Sequence, residues 1–391
     1  MNEALELHEA SQLTPATRRA YDAAMSAGLA ESEAFLPLLS QLMRIVDISP
    51  LWRDEDFIVE LIINPATGCF GTRKSFARTS QTVFRFVSGL RGPSRTRTPE
   101  SRMHLTEAEG HTTRIVQGIV EDAGHDPRKR LLISAAGDGT HGEVMHGVMM
   151  AGADVRDRIV VFRMPMGTGN DGADALTVTE SLALLLSGGD VRRSAAIECQ
   201  IPGIGVRTAF NICSIGFDAF VTDTTNRLRR VLPGDGYKLV ADLAALFYEP
   251  VFKAHPMQLA MSDSEGRSFL HEDNTLLCAM GVSGYRTYGG GKRVLPDERN
   301  ICTVRSIPLP KKIALKAELY EGRHIDNPAV RMFAADTVTI SYPARIPFQN
   351  DGEGIYLEAE NFPITWTRTQ PLVHTLVAPA IAHHYHVQVP G

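Results

Sequence analysis

The sequence predicts an α/β domain with a largely parallel sheet, followed by a β-rich, sandwich-like second domain. Two observations carry this prediction. From Phe57 to about residue 190, short apolar runs alternate with amphipathic segments of helical period, a pattern typical of βαβ units. Beyond residue 190, the chain changes to short β-rich runs separated by Gly, Pro and Asp turns.

We expect four segments, at residues 1–56, 57–190, 191–370 and 371–391. The first is a helical N-terminal extension, because apolar residues between Leu36 and Val46 recur with helical spacing. This extension is either a helical cap on the next domain or an arm that binds a partner. The second and third segments are the α/β and β-rich domains, and the last is a C-terminal segment.

The α/β domain is expected to begin with an apolar strand that ends at Asn64. Thr177 or Thr179 caps its last helix, and Gly188 lies just past the end of that helix. The run from Gly92 to Arg102 is rich in Arg, Ser, Thr and Pro and predicts a loop. The other expected elements are a helix through residues 115–120 that stops at Gly124, a strand at 131–134, a helix from Thr140 and a strand at 159–163.

Charge, cysteine content and apolar stretches indicate which partners and which location to expect. A formal charge of −5 gives no chain-wide attraction to nucleic acid or anionic lipid, so any such contact must come from a local patch. We therefore expect no nucleic-acid partner. The five cysteines form no CxxC pair, which argues against a disulfide framework and a zinc site. The chain has no uninterrupted apolar stretch of the roughly 18 residues that a transmembrane segment needs, so we expect a cytoplasmic protein that contacts membranes only peripherally.

Three glycine-containing loops directly follow three predicted strands. They read NPATG at 64–68, AAGDGT at 135–140 and PMGTGND at 165–171. In an open α/β sheet, ligands bind outside the carboxyl ends of the strands, so these loops are expected to converge on one site. Glycines expose backbone amides, which suits a polyphosphate. None of the loops spells a Rossmann or Walker motif.

These loops resemble the NPxSG, GGDGT and GTGND motifs of the diacylglycerol kinase catalytic domain family. That family includes bacterial lipid kinases and sphingosine and ceramide kinases, and is more distantly related to NAD kinases. Later stretches resemble its second domain in the same order, including NICSIGFDAFV at 211–221 and NDGEGIYLEAE at 350–360. The resemblance covers roughly residues 57–370.

The resemblance implies an ATP-dependent lipid kinase that transfers the γ-phosphate to a hydroxyl of diacylglycerol or a related lipid alcohol. ATP and Mg²⁺ would be its cofactors, and a lipid at a membrane surface its partner. The residues that match nucleotide-contacting motifs are Asn64, Pro65, Thr67, Gly68, Thr106, Gly137, Asp138, Gly139, Thr140, Glu143, Gly167, Thr168, Gly169 and Asn170.

Three carboxylates are candidates for the catalytic proton acceptor. Asp351 and Glu353 match the acidic residues of the DGE motif that act in bacterial lipid kinases, whereas the sphingosine kinase branch uses the aspartate that matches Asp138. We favour Asp351 and Glu353, which leaves Asp138 and Asp171 to hold the metal.

Two other functions remain open at this point. One is a kinase of a soluble acceptor such as NAD, because the GDGT motif is shared with NAD kinases. The other is a catalytically inactive nucleotide-binding regulatory protein. Three departures motivate it: Cys69 stands where the family often has a basic residue, Ala136 replaces the first glycine of GGDGT, and the stretch after Pro296 lacks the family's aspartate-glycine pair. A homodimer is an open alternative to a monomer.

Overall fold

The structure, a computed structural model, describes residues 32–108, 110–167, 170, 172, 175–229, 248–288 and 292–379. The chain divides into two compact units. The first contains the described residues up to Arg193 and those from Val373 onward, and the second spans Ser194–Leu372. Each unit has its own hydrophobic core.

The first unit is an α/β domain, as the alternating pattern predicts. Its described strands form a six-stranded sheet in the order β2-β1-β3-β4-β19-β5, and β1, β3, β4 and their neighbours β2 and β19 pair in parallel. The strands are β1 (Phe57–Ile63), β2 (Glu100–Leu105), β3 (Lys129–Ala136), β4 (Ile159–Pro165), β5 (Asp190–Ser194) and β19 (Val373–Val377). The helices are α1 (Leu36–Ile48), α2 (Arg73–Ser88), α3 (His111–His125), α4 (Asp138–Met149), α5 (Ala153–Arg156) and α6 (Val178–Ser187).

Helix α1 forms part of the core of the first unit. Its Leu38, Leu42, Ile45 and Val46 are buried in the same cluster as apolar residues of β1 and β3, and the helix contacts α2 and α6. The described part of the expected N-terminal extension is therefore a helical cap rather than a free arm. Residues 1–31 lie outside the described residues.

The helix caps follow the sequence closely. The Thr177 hydroxyl accepts a hydrogen bond from the Glu180 amide at the start of α6, while the Glu180 side chain accepts one from the Thr177 amide. This is a capping box, which satisfies two amides that have no partner within the helix. Gly188, with φ of 78°, ends α6 in the left-handed region.

Two parts of the first sheet differ from the sequence predictions. Strand β2 begins at Glu100, inside the segment we expected to be a loop to Arg102. It is an edge strand with no buried residue, so its sequence ESRMHL carries no apolar alternation. The terminal segment does not stand apart either, because β19 pairs with β4 and completes the first sheet.

A network of buried charges lies on the face of the first sheet that carries α3. Arg130 of β3 and Glu60 of β1 are both fully buried, and the Arg130 Nη1 atom lies 2.6 Å from Glu60 Oε1. Arg130 Nη2 also donates to Asp122 of α3 over 2.7 Å, and His104 Nε2 lies 2.8 Å from Glu60 Oε2. The network thus pairs the carboxylates of Glu60 and Asp122 with the Arg130 guanidinium and places the His104 ring beside Glu60.

The second unit is built mainly from antiparallel strands, in agreement with the predicted β-rich domain. Strand β10 is the longest, and it pairs through its first half with β9 and through its second half with β8 and β13. Its strands are β6 (Ile197–Ile201), β7 (Gly205–Ala209), β8 (Ile212–Gly216), β9 (Pro256–Ser262), β10 (Ser268–Gly281), β11 (Arg286–Tyr288), β12 (Lys292–Leu295), β13 (Ile301–Arg305), β14 (Val330–Phe333), β15 (Thr337–Ser341), β16 (Ile346–Asn350), β17 (Glu353–Leu357) and β18 (Ile364–Arg368).

The helices of the second unit are α7 (Phe217–Arg229), α8 (Tyr248–Val251) and α9 (Leu309–Glu321). Helix α7 packs on β16 and β17, and α9 packs on β12. Within the described ranges of the chain, none of the helices has both the length and the hydrophobicity that a membrane crossing requires.

Candidate functional site

The loops that leave β1, β3 and β4 contact one another within the first unit. Asn64, directly after β1, donates from its Nδ2 to the Thr140 Oγ1 of helix α4 over 2.9 Å. The Cys69 amide donates to the Met166 carbonyl, which follows β4, over 3.0 Å. The three glycine-containing loops are therefore adjacent at the carboxyl ends of parallel strands, where α/β sheets bind ligands.

Two glycines of this cluster pack directly against each other. A Cβ placed on Gly167 would lie 2.9 Å from the Gly137 Cα, a distance that real Cβ atoms essentially never show. The same Cβ would lie 3.9 Å from the Asp138 amide nitrogen. Glycine is thus required at Gly167 because the loop after β4 passes directly over the N-terminus of α4. Amides at a helix N-terminus are suited to bind anions.

The NPATG loop folds back on Asn64. The Asn64 Oδ1 accepts from the Ala66 amide over 2.9 Å, and the Asn64 carbonyl accepts from the Thr67 amide over 3.2 Å. Pro65 and Gly68 belong to the same loop. The Thr67 hydroxyl is buried and finds no hydrogen-bond partner among the residues that the structure describes, so it is available to a ligand.

Asp138 begins helix α4 and forms an ion pair with Arg163 of β4. Both side chains are largely buried, with exposed fractions of 28% for Asp138 and 13% for Arg163. Arg163 also affects His141, one turn further along α4: burial lowers the pKa of His141 well below its ordinary value, and the Arg163 charge adds to this. Arg163 was not predicted, because only the fold brings it to Asp138.

Asn170 is held in the left-handed region, with φ of 52°. Its Oδ1 lies 3.3 Å from the Cβ that Gly167 lacks, and this buried oxygen has no donor within the described ranges. An unpartnered acceptor oxygen at this point suits a metal ion or a ligand donor. Thr168, Gly169 and Asp171 lie outside the described residues, so their predicted contacts stay predictions.

Three other residues that were predicted to contact the nucleotide are Thr106, Gly139 and Glu143. Thr106 follows β2, is buried, and donates from its amide to the Ile63 carbonyl over 2.9 Å. Gly139 lies in the first turn of α4. The carboxylate of Glu143 accepts from the Thr113 amide over 3.2 Å and from the Thr113 hydroxyl over 3.1 Å. Glu143 thereby satisfies the N-terminus of α3, which is a structural contact.

In the second unit, Asp351 forms the tight turn between β16 and β17. Asp351 and Gly352 have φ of 45° and 94°, and Asn350 pairs with Glu353 across the turn, a geometry typical of a two-residue hairpin. The Asp351 carboxylate accepts from the amides of Asn211 and Ile212 over 3.0 and 2.9 Å, and from Phe210. Both oxygens are thus directed at backbone donors.

Glu353, two residues later, has a different environment. It is the first residue of β17 and its side chain is exposed. No hydrogen bond or ion pair to its carboxylate is found in the described part of the chain. The two carboxylates of the NDGEG motif are therefore not equivalent: Asp351 holds the turn together, and Glu353 is available to solvent or substrate.

A chain of hydrogen bonds runs from this turn to a buried carboxyl group. The Gly352 amide donates to Gln349 Oε1 over 2.9 Å, Gln349 Nε2 donates to Ser214 Oγ over 2.8 Å, and Ser214 Oγ donates to Asp218 Oδ2 over 3.0 Å. Burial raises the pKa of Asp218, while the Lys292 charge opposes this. The sequence contained the motif NICSIGFDAFV but gave no sign of this connection.

A metal site made only of protein ligands is not found among the residues described. No group of three or more His, Cys, Asp or Glu side chains is arranged to hold an ion there. Asp297 lies in the altered stretch after Pro296. Both of its carboxylate oxygens accept from Arg299 Nε, and the Arg299 guanidinium lowers the pKa of the Asp297 carboxyl. A metal that is bound together with a nucleotide needs only one or two protein carboxylates. The Asp138 carboxylate and the Asn170 Oδ1 atom could serve as its oxygen ligands.

Comparison with known proteins agrees with this arrangement. The profile of the family described as "Diacylglycerol kinase catalytic domain" matches residues 61–197, and that of the "YegS C-terminal NAD kinase beta sandwich-like domain" matches residues 211–371. Together the two matches take in both units and all three glycine-containing loops. Residues 61–197 belong to the diacylglycerol kinase catalytic domain family.

Similar proteins occur in several bacteria. A protein of Alcanivorax borkumensis described as "Probable lipid kinase YegS-like" is 27% identical over 169 residues, which are 43% of this chain and 51% of that protein. An Escherichia coli protein described as "Probable lipid kinase YegS" is 28% identical over 246 residues, or 60% of this chain and 74% of that one. The chain thus matches about half of the length of the first relative.

Two crystal structures from Bacillus anthracis str. Sterne share the fold. One, described as a diacylglycerol kinase, has a TM-score of 0.51 at 15% identity and covers 84% of this chain and 98% of its own. The other has a TM-score of 0.55 at 18% identity and covers 84% and 97%. At this level of identity, the similarity shows a shared fold.

Proposed function

We propose that the protein is an ATP-dependent lipid kinase that transfers the γ-phosphate to a hydroxyl of diacylglycerol or a related lipid alcohol. The observation that carries the proposal is the contact of Gly167 with Gly137 at the N-terminus of α4. This contact brings the loop after β4 to the first amides of α4, where the three family motifs converge. The relatives are described as probable lipid kinases, which supports a lipid as the acceptor.

The first unit binds ATP in this proposal. Phosphoryl transfer depends mainly on positioning and on stabilising the phosphate charge, so backbone amides, hydroxyls and amide side chains are the groups it needs. Thr67 and Asn170 offer buried polar atoms that have no partner within the described residues. The groups that would surround the phosphates are Asn64, Thr67, Gly137, Gly139, Thr140, Gly167 and Asn170, together with Thr168 and Gly169.

In this proposal, Mg²⁺ would be bound together with the nucleotide. Asp138, Asn170 and, outside the described residues, Asp171 are the groups that would hold it. The metal would neutralise charge on the phosphates. The Arg163 guanidinium already pairs with Asp138, so this side chain fixes the orientation of the carboxylate and adds a second positive charge near the phosphates.

Glu353 is the proton acceptor for the attacking hydroxyl in this account. Its carboxylate is exposed at the start of β17, and a base must reach within about 2.6–3.2 Å of the hydroxyl that it deprotonates. Asp351 positions the turn that carries Glu353, since its oxygens accept three backbone amides. Asp138 remains the alternative base if the metal does not need it.

Substitution of Glu353 tests this assignment. Glu353→Gln should abolish phosphate transfer to lipid in mixed micelles and leave ATP binding, measured by calorimetry, unchanged. Glu360→Gln, at another exposed glutamate that follows β17, is the matched control and should retain transfer. Full transfer by Glu353→Gln, with loss in Asp138→Asn, would move the base to Asp138.

The second candidate is a catalytically inactive nucleotide-binding protein. The ion pair between Asp138 and Arg163 favours it, because a carboxylate already paired with a guanidinium is a weaker metal ligand. This candidate predicts ATP binding without turnover of any acceptor. A kinase of NAD predicts transfer in plain buffer without lipid, so one assay separates all three functions.

A further inference from the structure

Helix α9 of the second unit presents an apolar stripe to solvent. Leu309, Ile313 and Tyr320 recur at spacings of four and seven residues, which places them on one side of the helix. Their exposed fractions are 42%, 64% and 44%. Large apolar side chains grouped in this way usually mark an interaction site rather than ordinary surface.

The opposite side of α9 already secures the helix to the fold. Leu315 is its one buried residue among those described, Leu319 packs against the same cluster, and the helix contacts β12. Gly322, with φ of 75°, ends the helix. Packing therefore does not explain why Leu309, Ile313 and Tyr320 are apolar.

Cationic side chains border the stripe. Lys312 and Lys316 are one turn apart and, by helical spacing, lie along one flank of the stripe. Lys292 of β12 has its Nζ atom 5.9 Å from the centre of the Tyr320 ring. Arg293 lies at the C-terminal end of α9, where a Cβ on Gly322 would be 3.4 Å from its Cδ atom. The stripe is thus apolar in the middle and positively charged at its margins.

The acidic residues of α9 interact with side chains outside the helix. Glu318 Oε2 accepts from Asn327 Nδ2 over 2.9 Å, and Glu321 pairs with Arg323. A strongly negative surface would be attracted to the cations along the stripe. A second copy of the same stripe would instead bring lysines against lysines, which like-charge repulsion disfavours.

Helix α9 is connected to the Glu353 turn by a continuous series of contacts. Lys292, beside Tyr320, also acts electrostatically on Asp218 of α7. In the hairpin partner β11, the Tyr288 hydroxyl lies 2.8 Å from the Thr222 Oγ1 of α7. Helix α7 in turn packs on β17, the strand that Glu353 begins. The stripe and the proposed base are therefore linked within the second unit through β12, β11 and α7.

From this geometry we infer that α9 docks the protein on the surface of an anionic bilayer, with Leu309, Ile313 and Tyr320 inserted among the lipids and Lys312 and Lys316 at the headgroups. An α-helix of 13 residues is about 20 Å long, which suits a helix lying in the plane of the interface. The inference rests on the proposed function, since it gives a lipid kinase its route to a membrane-embedded acceptor.

Vesicle flotation with the full chain tests the apolar part of the surface. Wild-type protein should bind vesicles of phosphatidylcholine mixed with phosphatidylglycerol, and Ile313→Gln should lower the partition coefficient by about tenfold, because an apolar side chain no longer enters the interface. Leu270→Gln is the matched control, since Leu270 on β10 is also 64% exposed, and it should bind like wild type. Equal binding by both variants would overturn the inference.

The charged part is tested by replacing both Lys312 and Lys316 with Gln. Binding to the anionic vesicles should fall by about tenfold and should become less sensitive to added salt. Lys253→Gln, at an exposed lysine outside α9, should have no such effect. Unchanged binding by the double variant, or a dimer that Ile313→Gln dissociates without loss of vesicle binding, would assign the stripe to another partner.

A transfer assay in detergent micelles separates this inference from the proposed function. The α9 variants should keep wild-type transfer to lipid dispersed in micelles, because no bilayer is needed there. Wild-type transfer in micelles combined with vesicle binding that is independent of α9 would overturn the docking surface alone. No transfer at all, with vesicle binding that still depends on α9, would overturn the proposed function and leave the docking surface in place.

Discussion

Gly167 passes so close to Gly137 that a single added carbon on Gly167 would lie 2.9 Å from the Gly137 Cα. The loop after β4 is thereby pressed onto the first turn of α4. This contact requires glycine for reasons of space, since a Cβ there would meet backbone that cannot rotate away. It also explains why two of the three family motifs are rich in glycine where they meet.

Gly167→Ala should therefore separate the two loops. We expect ATP affinity to fall by about tenfold and the free energy of unfolding to fall by about 1–3 kcal/mol, the range for overpacking. Gly142→Ala is the matched control, because a Cβ on this glycine of α4 would have nothing within 4 Å. It should raise the stability by about 0.5–1 kcal/mol. Calorimetry and urea unfolding measure both effects, and equal ATP affinity of the two variants would contradict the account.

Asp351 and Glu353 should differ in their effect on stability. Asp351→Asn replaces one acceptor oxygen by an NH₂ group, which cannot accept from the amides of residues 210–212, so we expect a loss of about 2–3 kcal/mol. Glu353→Gln alters an exposed side chain and should change the stability by less than about 0.5 kcal/mol. Urea unfolding would refute the separation of roles if the two variants lost equal stability.

The buried pair of Glu60 and Arg130 should be essential to the first unit. Glu60→Gln leaves the fully buried Arg130 short of a charged partner, and we expect a loss of about 3–5 kcal/mol. Glu55→Gln breaks the exposed pair with Lys129, which should cost less than about 1 kcal/mol. Thermal or urea unfolding compares the two, and a small loss in Glu60→Gln would show that Asp122 alone satisfies Arg130.

His324 should contribute to the pH dependence of stability. Burial lowers its pKa below the ordinary value of 6.5, so the unfolded chain takes up a proton there before the folded protein does. The contribution is fully present above about pH 6.5 and is lost as the pH falls toward the folded pKa. His324→Gln should make the slope of unfolding free energy against pH shallower below pH 6.5, by up to about 1.4 kcal/mol per pH unit.

Exposed His125 provides the control for this titration. The slope in His125→Gln should match that of the wild-type protein. Identical slopes in the His324→Gln and wild-type proteins would show that His324 titrates alike in the folded and unfolded chains.

The parts of the fold predicted from sequence are those with local signals. The structure confirms the buried strands around residues 57–63 and 131–134 and the capped helix after Thr177. These elements were predictable because apolar runs and helix caps are formed by residues that are adjacent in the sequence. Strand β2 is polar and lies at an edge, and β19 joins the first sheet only after the whole second unit. Neither has a local signal.

In the candidate site too, local features were predictable from the sequence and contacts between distant residues were not. The motifs identified the three loops, since each loop carries its own glycines. The ion pair of Asp138 with Arg163, the amides that hold Asp351 and the chain from Gly352 to Asp218 all join residues distant in sequence. The run YKLVADLAALFY at 237–248 also predicts a helix, and all of this run except Tyr248 lies outside the described residues.

The most direct test of the central claim follows labelled γ-phosphate from ATP with Mg²⁺ into lipid alcohols in mixed micelles, with NAD in plain buffer alongside. The account predicts label in diacylglycerol or a related lipid alcohol, none in NAD, and none in lipid with Glu353→Gln. Label only in NAD would contradict the lipid acceptor. No label anywhere, with ATP shown to bind, would contradict the kinase and favour the inactive nucleotide-binding protein.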